Sequence, residues 1–179
     1  PSTLIANALF ARFTSSFKTQ RQKVAAIFEH SAPVQTMEVG DLLKAYHFAR
    51  IINHYQGFQL ISEAAKTYQW NIALSELARV WTNGCIIKSD LMKKLVPLLK
   101  ESSDLLDAPT LQSELLFLKP IANKVVAQCI LSEIPTSILS ESVNFLNQLK
   151  TDRSAANIIQ AQRDYFGAHT YKRIHDPLQ

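Results

Sequence analysis

Arg163, Gly167 and His169 are the residues of this 179-residue sequence whose types and spacing could bind a phosphorylated ligand. Ala155, Ala156, Ile159 and Phe166 recur at helical spacing along one apolar stripe. Arg163 interrupts that stripe, four residues after Ile159 and three before Phe166. A guanidinium held against apolar surface is costly unless an anion pairs it, and that anion could belong to the protein, as Asp164 does, or to a ligand. Gly167, free to take positive φ, is expected to end the helix. His169 follows six residues beyond Arg163. A rigid fork of donors and a titratable imidazole on either side of a turn make half of a phosphate site.

A helix opened by Ser154 must carry these residues, and the rest of the chain reads as its support. Leu9, Phe13, Phe17, Val24 and Phe28 share a helical face, which predicts one long helix from about Thr3 to Glu29, broken at Ala32-Pro33. A second long helix is predicted from about Glu38 to Tyr68. Phe48, Ile51, Tyr55, Phe58, Ile61 and Ala65 recur along it at steps of three and four, with Leu42, Leu43, Tyr46 and Ile52 widening the arc. So wide an apolar arc belongs in the middle of a bundle. Gly57 within it predicts the close approach of a neighbouring helix. His47 and His54, seven apart, read as satisfied or solvated histidines rather than a ligand pair.

Asn71 is expected to cap a short helix through Trp81, with Asn83-Gly84 as its stop. Ser89 or Asp90 caps the next, which carries Leu91, Leu95 and Leu98. Further helices are predicted over 111–131, with Pro120 inside, and 137–149. No strand alternation of useful length appears, so the fold class is all-α: a multi-helix bundle around a long central helix, with an extended tail over 172–179.

Composition agrees and narrows the function. Four glycines are few for this length, and 19 basic against 15 acidic side chains give a scattered net charge of +4. No run of like charge marks a nucleic-acid partner, and the mild positive bias suits an anionic substrate. Cys85 and Cys129 read as separate buried thiols, and no metal-ligand spacing is present. No apolar run is long enough for a membrane span and no signal pattern opens the chain, so the expectation is a cytoplasmic protein.

The residues themselves say more than their spacing. Ile159 to Tyr171, reading Ile-Gln-Ala-Gln-Arg-Asp-Tyr-Phe-Gly-Ala-His-Thr-Tyr, resembles the C-terminal signature of decarboxylating 6-phosphogluconate dehydrogenases. A second block resembles the same family in the same order. It comprises Tyr55 to Leu60, Glu63-Ala64-Ala65, Trp70-Asn71, Glu76 to Trp81 and Gly84 to Ser89. Phe10 to Arg21 resembles a family segment that supplies an arginine to the substrate phosphate.

This resemblance implies the C-terminal helical domain, over 1–179, of a homodimeric enzyme. Such enzymes oxidise 6-phosphogluconate with NADP and decarboxylate it to ribulose 5-phosphate. It implies that Arg163 and His169 reach the partner subunit's substrate, and that Arg21 serves the phosphate within its own subunit. For Arg21 the alternative is a solvent-facing arginine beside Lys18 and Lys23. The family's Lys-Met-Val-His-Asn-Gly-Ile-Glu-Tyr helix, which carries its lysine and glutamate, is absent. So are its Gly-x-Gly-x-x-Gly cofactor turn and its Gly-Thr-Gly-Lys-Trp-Thr loop. No catalytic, cofactor-binding or metal-binding residue is therefore expected on this chain, and it should not be active alone. Smaller departures are Ser75 for a glycine, Thr82 and Asn83 where arginine is common, Ala155 for a proline, and a tail lacking the terminal His-Thr-x-Trp. The alternative is a non-catalytic helical dimerisation or interaction module derived from that fold.

Overall fold

A computed structural model describes residues 2–28, 33 and 36–171. Ala32, Glu29 and the 172–179 tail, on which sequence expectations were placed, lie outside the described residues. Every regular element among the described residues is helical. They are α1 (Thr3–Ser16), α2 (Lys18–Ala25), α3 (Val39–Thr67), α4 (Leu74–Trp81), α5 (Asp90–Glu101), α6 (Pro109–Leu131), α7 (Ser137–Leu149) and α8 (Ala156–Gly167), with a 3-10 turn at Leu105–Asp107. The chain forms two compact units, Pro1–Phe145 and Leu146–Gln179.

The first unit is organised around α3, as its apolar arc predicts. Phe48, Ile51, Ile52 and Phe58 are buried, and α3 packs chiefly on α6, whose Leu111, Leu115, Leu118, Ala122 and Val125 face inward. Complete burial of each of these side chains larger than alanine contributes about 1.5–3 kcal/mol. Helices α4 and α5 pack on each other, with Ala78, Met92 and Leu95 buried. Glu114 on α6 ties three helices: His47 of α3 pairs with its carboxylate at 2.9 Å, and Lys94 of α5 takes its other oxygen. Lys124 joins α6 to Asp41 of α3 at 2.9 Å.

Both histidines are satisfied, since His54 Nδ1 bonds the Arg50 carbonyl at 2.7 Å. Burial holds His54 below its usual imidazole value, against the opposing effect of that bond. Ser89 is the cap of α5, its Oγ accepting from Met92 N–H at 3.1 Å. Cys129 is buried and Cys85 half-buried, both as free thiols.

Four local expectations are corrected. The long first helix breaks at Phe17, which has ψ of 59°. The side chains of Thr14, Ser15 and Ser16 donate back to the carbonyls of Phe10, Arg12 and Phe13, bonds that compete with helix continuation. Its apolar face is exposed: Leu9, Phe10, Phe13, Phe17, Val24 and Phe28 all face solvent, as do Leu42, Leu43 and Tyr46 of α3. Gly57 has no neighbour within 4 Å of where a Cβ would stand, so no close helix approach explains it. Asn71 caps nothing, because α4 begins at Leu74 with the extended Ala73 before it and no side-chain cap bond.

Candidate functional site

The second unit presents Arg163 and His169 on one structural device, the end of α8. Ala156 N–H is bonded to Ser154 Oγ at 3.2 Å, so Ser154 helps to open the helix. No residue of α8 is buried: Ile158, Ile159, Tyr165 and Phe166 are 61–86% exposed. The stripe that Arg163 interrupts is therefore uncovered in this chain, and its guanidinium is exposed. The desolvation cost expected from the stripe is absent, because no described residue buries this helix face.

The exit from α8 also differs from expectation. Gly167 remains helical, and the left-handed residue is Ala168, at φ 49° and ψ 42°. Thr170 is left-handed as well, at φ 57°. Such conformations cost an ordinary L-residue roughly 1–2 kcal/mol each, and more where the side chain is β-branched. Three hydrogen bonds hold them. Ala168 N–H donates to the Asp164 carbonyl at 2.8 Å, Thr170 N–H to Asp164 Oδ1 at 2.7 Å, and Gln160 Nε2 to the Thr170 carbonyl at 2.8 Å. His169 is thus fixed between two left-handed residues.

Gly167 has a different reason for being glycine. Its Cα faces the His169 ring, so that an added Cβ would stand 3.0 Å from Nε2 and 3.1 Å from Cδ2. The imidazole folds back over the end of the helix.

Asp164, the carboxylate that could have neutralised Arg163, is used instead by the turn. Among the described residues Arg163 makes no ion pair, and its partner is Gln160 Oε1, 3.3 Å from Nη1. One glutamine amide therefore joins the guanidinium to the turn that carries His169. The sequence reading does not anticipate Gln160, and it takes Asp164 as a possible partner of Arg163 rather than of the turn. The signal was the readiness of an Asp side chain to bond a backbone N–H nearby. A cation without a carboxylate and an imidazole on a clamped turn can bind an oxyanion by charge-assisted hydrogen bonds.

Arg21 lies in the first unit, on α2, exposed, with Nη2 donating to the Ser15 carbonyl at 3.0 Å. It borders a shallow cavity of about 470 Å³ with Asn7, Phe10, Thr14, Ser15 and Ser137. A second cavity, of about 810 Å³, is lined by Tyr46, Arg50, His54, Ile86 and Lys88 and contains none of the expected site residues. No group of three or more His, Cys, Asp or Glu side chains able to hold a metal occurs among the described residues. Nor is any described helix long and apolar enough to cross a membrane.

Comparison with known proteins bears on this arrangement. Residues 1–178 match the family model described as 6-phosphogluconate dehydrogenase, C-terminal domain. The decarboxylating 6-phosphogluconate dehydrogenase of Cunninghamella elegans is 35% identical over 193 residues, covering 99% of this chain and 38% of the relative. That of Haemophilus ducreyi is 36% identical over 184 residues, with the same coverage. The chain thus spans about 38% of the length of these curated relatives. Among solved structures, Plasmodium falciparum 6-phosphogluconate dehydrogenase superposes with a TM-score of 0.90 at 28% identity. The match covers 98% of this chain and 39% of that one, a protein solved in its apo form and with NADP+ and 6-phosphogluconate.

Proposed function

The chain belongs to the 6-phosphogluconate dehydrogenase family, as its C-terminal domain, and from that premise we propose that it is the dimer-forming, phosphate-binding part of a cytoplasmic enzyme. That enzyme oxidises 6-phosphogluconate with NADP and decarboxylates it to ribulose 5-phosphate. One observation carries the reading: among the described residues Arg163 has no carboxylate partner, while Asp164 clamps the adjoining turn under His169. A resting ion pair would have to be broken before a phosphate could bind, and among the described residues there is none to break.

The roles divide by chemistry. Arg163 supplies a planar fork of donors matched to phosphate oxygens. His169 supplies a directed ring N–H, and a proton when the phosphate favours the charged imidazole. Both act across a homodimer interface, where they complete the partner's site. The exposed apolar surface of α8 supports this, because an isolated 12-residue helix with nothing buried is marginal in water. Arg21 contributes to the phosphate from its own subunit.

The residues present do not fit NADP. The sequence has no glycine-rich turn and the described residues no strand leading into a helix, so in this reading the cofactor is held by sequence outside the chain. The hydride and proton transfers are likewise assigned to groups outside it.

Calorimetric titration of the chain with 6-phosphogluconate, beside its sedimentation mass, tests the proposal. The expected result is salt-sensitive binding by a dimer, reduced at least tenfold in Arg163→Ala, since a hydrogen bond to a charged group contributes about 1.5–3 kcal/mol. Arg21→Ala should weaken binding too, with Arg12→Ala as the comparison. Loss in Arg12→Ala alone would move the contact from α2 to α1. Binding that survives Arg163→Ala overturns the assignment, and a dimer with no binding leaves a dimerisation module.

A further inference from the structure

A glutamine in a packed helix needs partners at both ends of its amide, because a bare buried donor or acceptor costs about 1–3 kcal/mol. Gln56 of α3, only 2% exposed, finds both at the start of α1. Its Oε1 accepts from Leu4 N–H at 3.0 Å, and its Nε2 donates to Thr3 Oγ1 at 3.0 Å. The first N–H groups of any helix lack intrahelical partners, and Ser2 provides no side-chain cap to α1. A residue 52 positions away does so instead.

This contact is unusual in what it has to hold. Leu4, 1% exposed, is the only buried residue of α1, and α2 has none. Helix α1 is thus tied to the core most firmly through its first turn; beyond it Asn7, Ala8 and Ala11 are only half-buried, and its 14 residues extend from there. At 1.5 Å per residue that is a lever of about 20 Å, so a tilt of about 10° at the pivot moves the far end by about 3.5 Å. Productive contacts tolerate displacements of only about 0.5 Å. Arg12 lies along the lever and Arg21 just beyond it, on α2.

We propose that Gln56 is a positioning residue: its amide clip on Thr3 and Leu4 sets the direction of α1 and so places Arg12 and Arg21, of which Arg21 serves the phosphate in the reading above. The functional half of this inference rests on the phosphate reading above; the geometric half does not.

Amide hydrogen exchange on the 179-residue chain separates the two. Gln56→Leu removes both bonds while keeping most of the bulk. Gln56→Glu keeps an acceptor for Leu4 N–H and for the Thr3 hydroxyl, and Thr3→Val removes one arm only. Exchange at the first amides of α1 should rise roughly tenfold in Gln56→Leu, less in Thr3→Val, and return towards wild type in Gln56→Glu. Amides of α3 and α6 should hold their protection.

A uniform rise across α1, α3 and α6 would make Gln56 a contributor to general stability and overturn the clip, as would unchanged exchange in α1. Affinity for 6-phosphogluconate should fall in the same order as α1 is released. Unchanged affinity with a released α1 overturns the functional half. If wild type binds no 6-phosphogluconate while the exchange pattern holds, the phosphate reading fails and the clip stands.

Discussion

Gly167→Ala should separate helix stability from the placement of His169, because the two respond in opposite directions. Gly167 is the last residue of α8 and is not among the positive-φ positions, so alanine can take its conformation without strain. Alanine is favoured over glycine in a helix by up to about 1 kcal/mol, and a chain of this length gains about 2–4 °C in Tm for each kcal/mol. The new methyl would stand 3.0 Å from His169 Nε2, and the ring must retreat by a few tenths of an ångström. That movement is cheap, since His169 is exposed and its ring is the free end of a side chain. The fold should therefore be as stable as before or slightly more so. The imidazole, however, leaves the position it holds against the helix end. Under the proposed phosphate role a small part of the roughly 1.5–3 kcal/mol of a hydrogen bond to a charged group is then lost, a fall in 6-phosphogluconate affinity of about two- to threefold. Thermal melts and calorimetric titration of the same samples decide it. A clear fall in Tm would refute the helix argument. Unaltered affinity in a stabilised protein would refute the reasoning that Gly167 is glycine for the sake of His169.

Two further perturbations have definite signs. Ala168→Gly removes the penalty of a left-handed alanine and should raise stability by about 1 kcal/mol, read as a higher urea midpoint; a lower midpoint would show that the turn is not strained. Burial pushes Glu114 up, but hydrogen bonds from Lys94 and His47 outweigh it and hold the carboxyl below its ordinary value of 4.5. A value depressed on folding contributes stability that is complete above 4.5 and is lost as pH falls through the lower, folded value. Tm should therefore decline more steeply with acidification below pH 4.5 in wild type than in Glu114→Gln, and parallel curves would exclude Glu114 as the group responsible.

The sequence by itself determined the all-α class, the central helix and the family. The reason is that helical periodicity, a cap such as Ser89 and long signature blocks are properties of neighbours along the chain. Phe48, Ile51 and Phe58 could be assigned to the core because nothing but burial explains that spacing on a 29-residue helix. The same reasoning failed for α1 and α8. Their stripes are equally apolar, but whether a stripe is covered depends on what packs against it, and the described residues within each unit leave both exposed. The residues proposed to bind phosphate were chosen from the sequence, and the geometry around them differs from what it predicted. Beside Arg163 and His169 the left-handed positions fell on Ala168 and Thr170, whose types do not announce them, and Asp164 turned to a backbone amide rather than to its neighbour. Gln56 gave no signal at all. Its partners are 52 and 53 residues away, and only the packing of α1 against α3 brings the three together. Local backbone preference is encoded by adjacent residues, whereas the choice among competing hydrogen-bond partners is made by the whole fold, through distances that no local pattern contains.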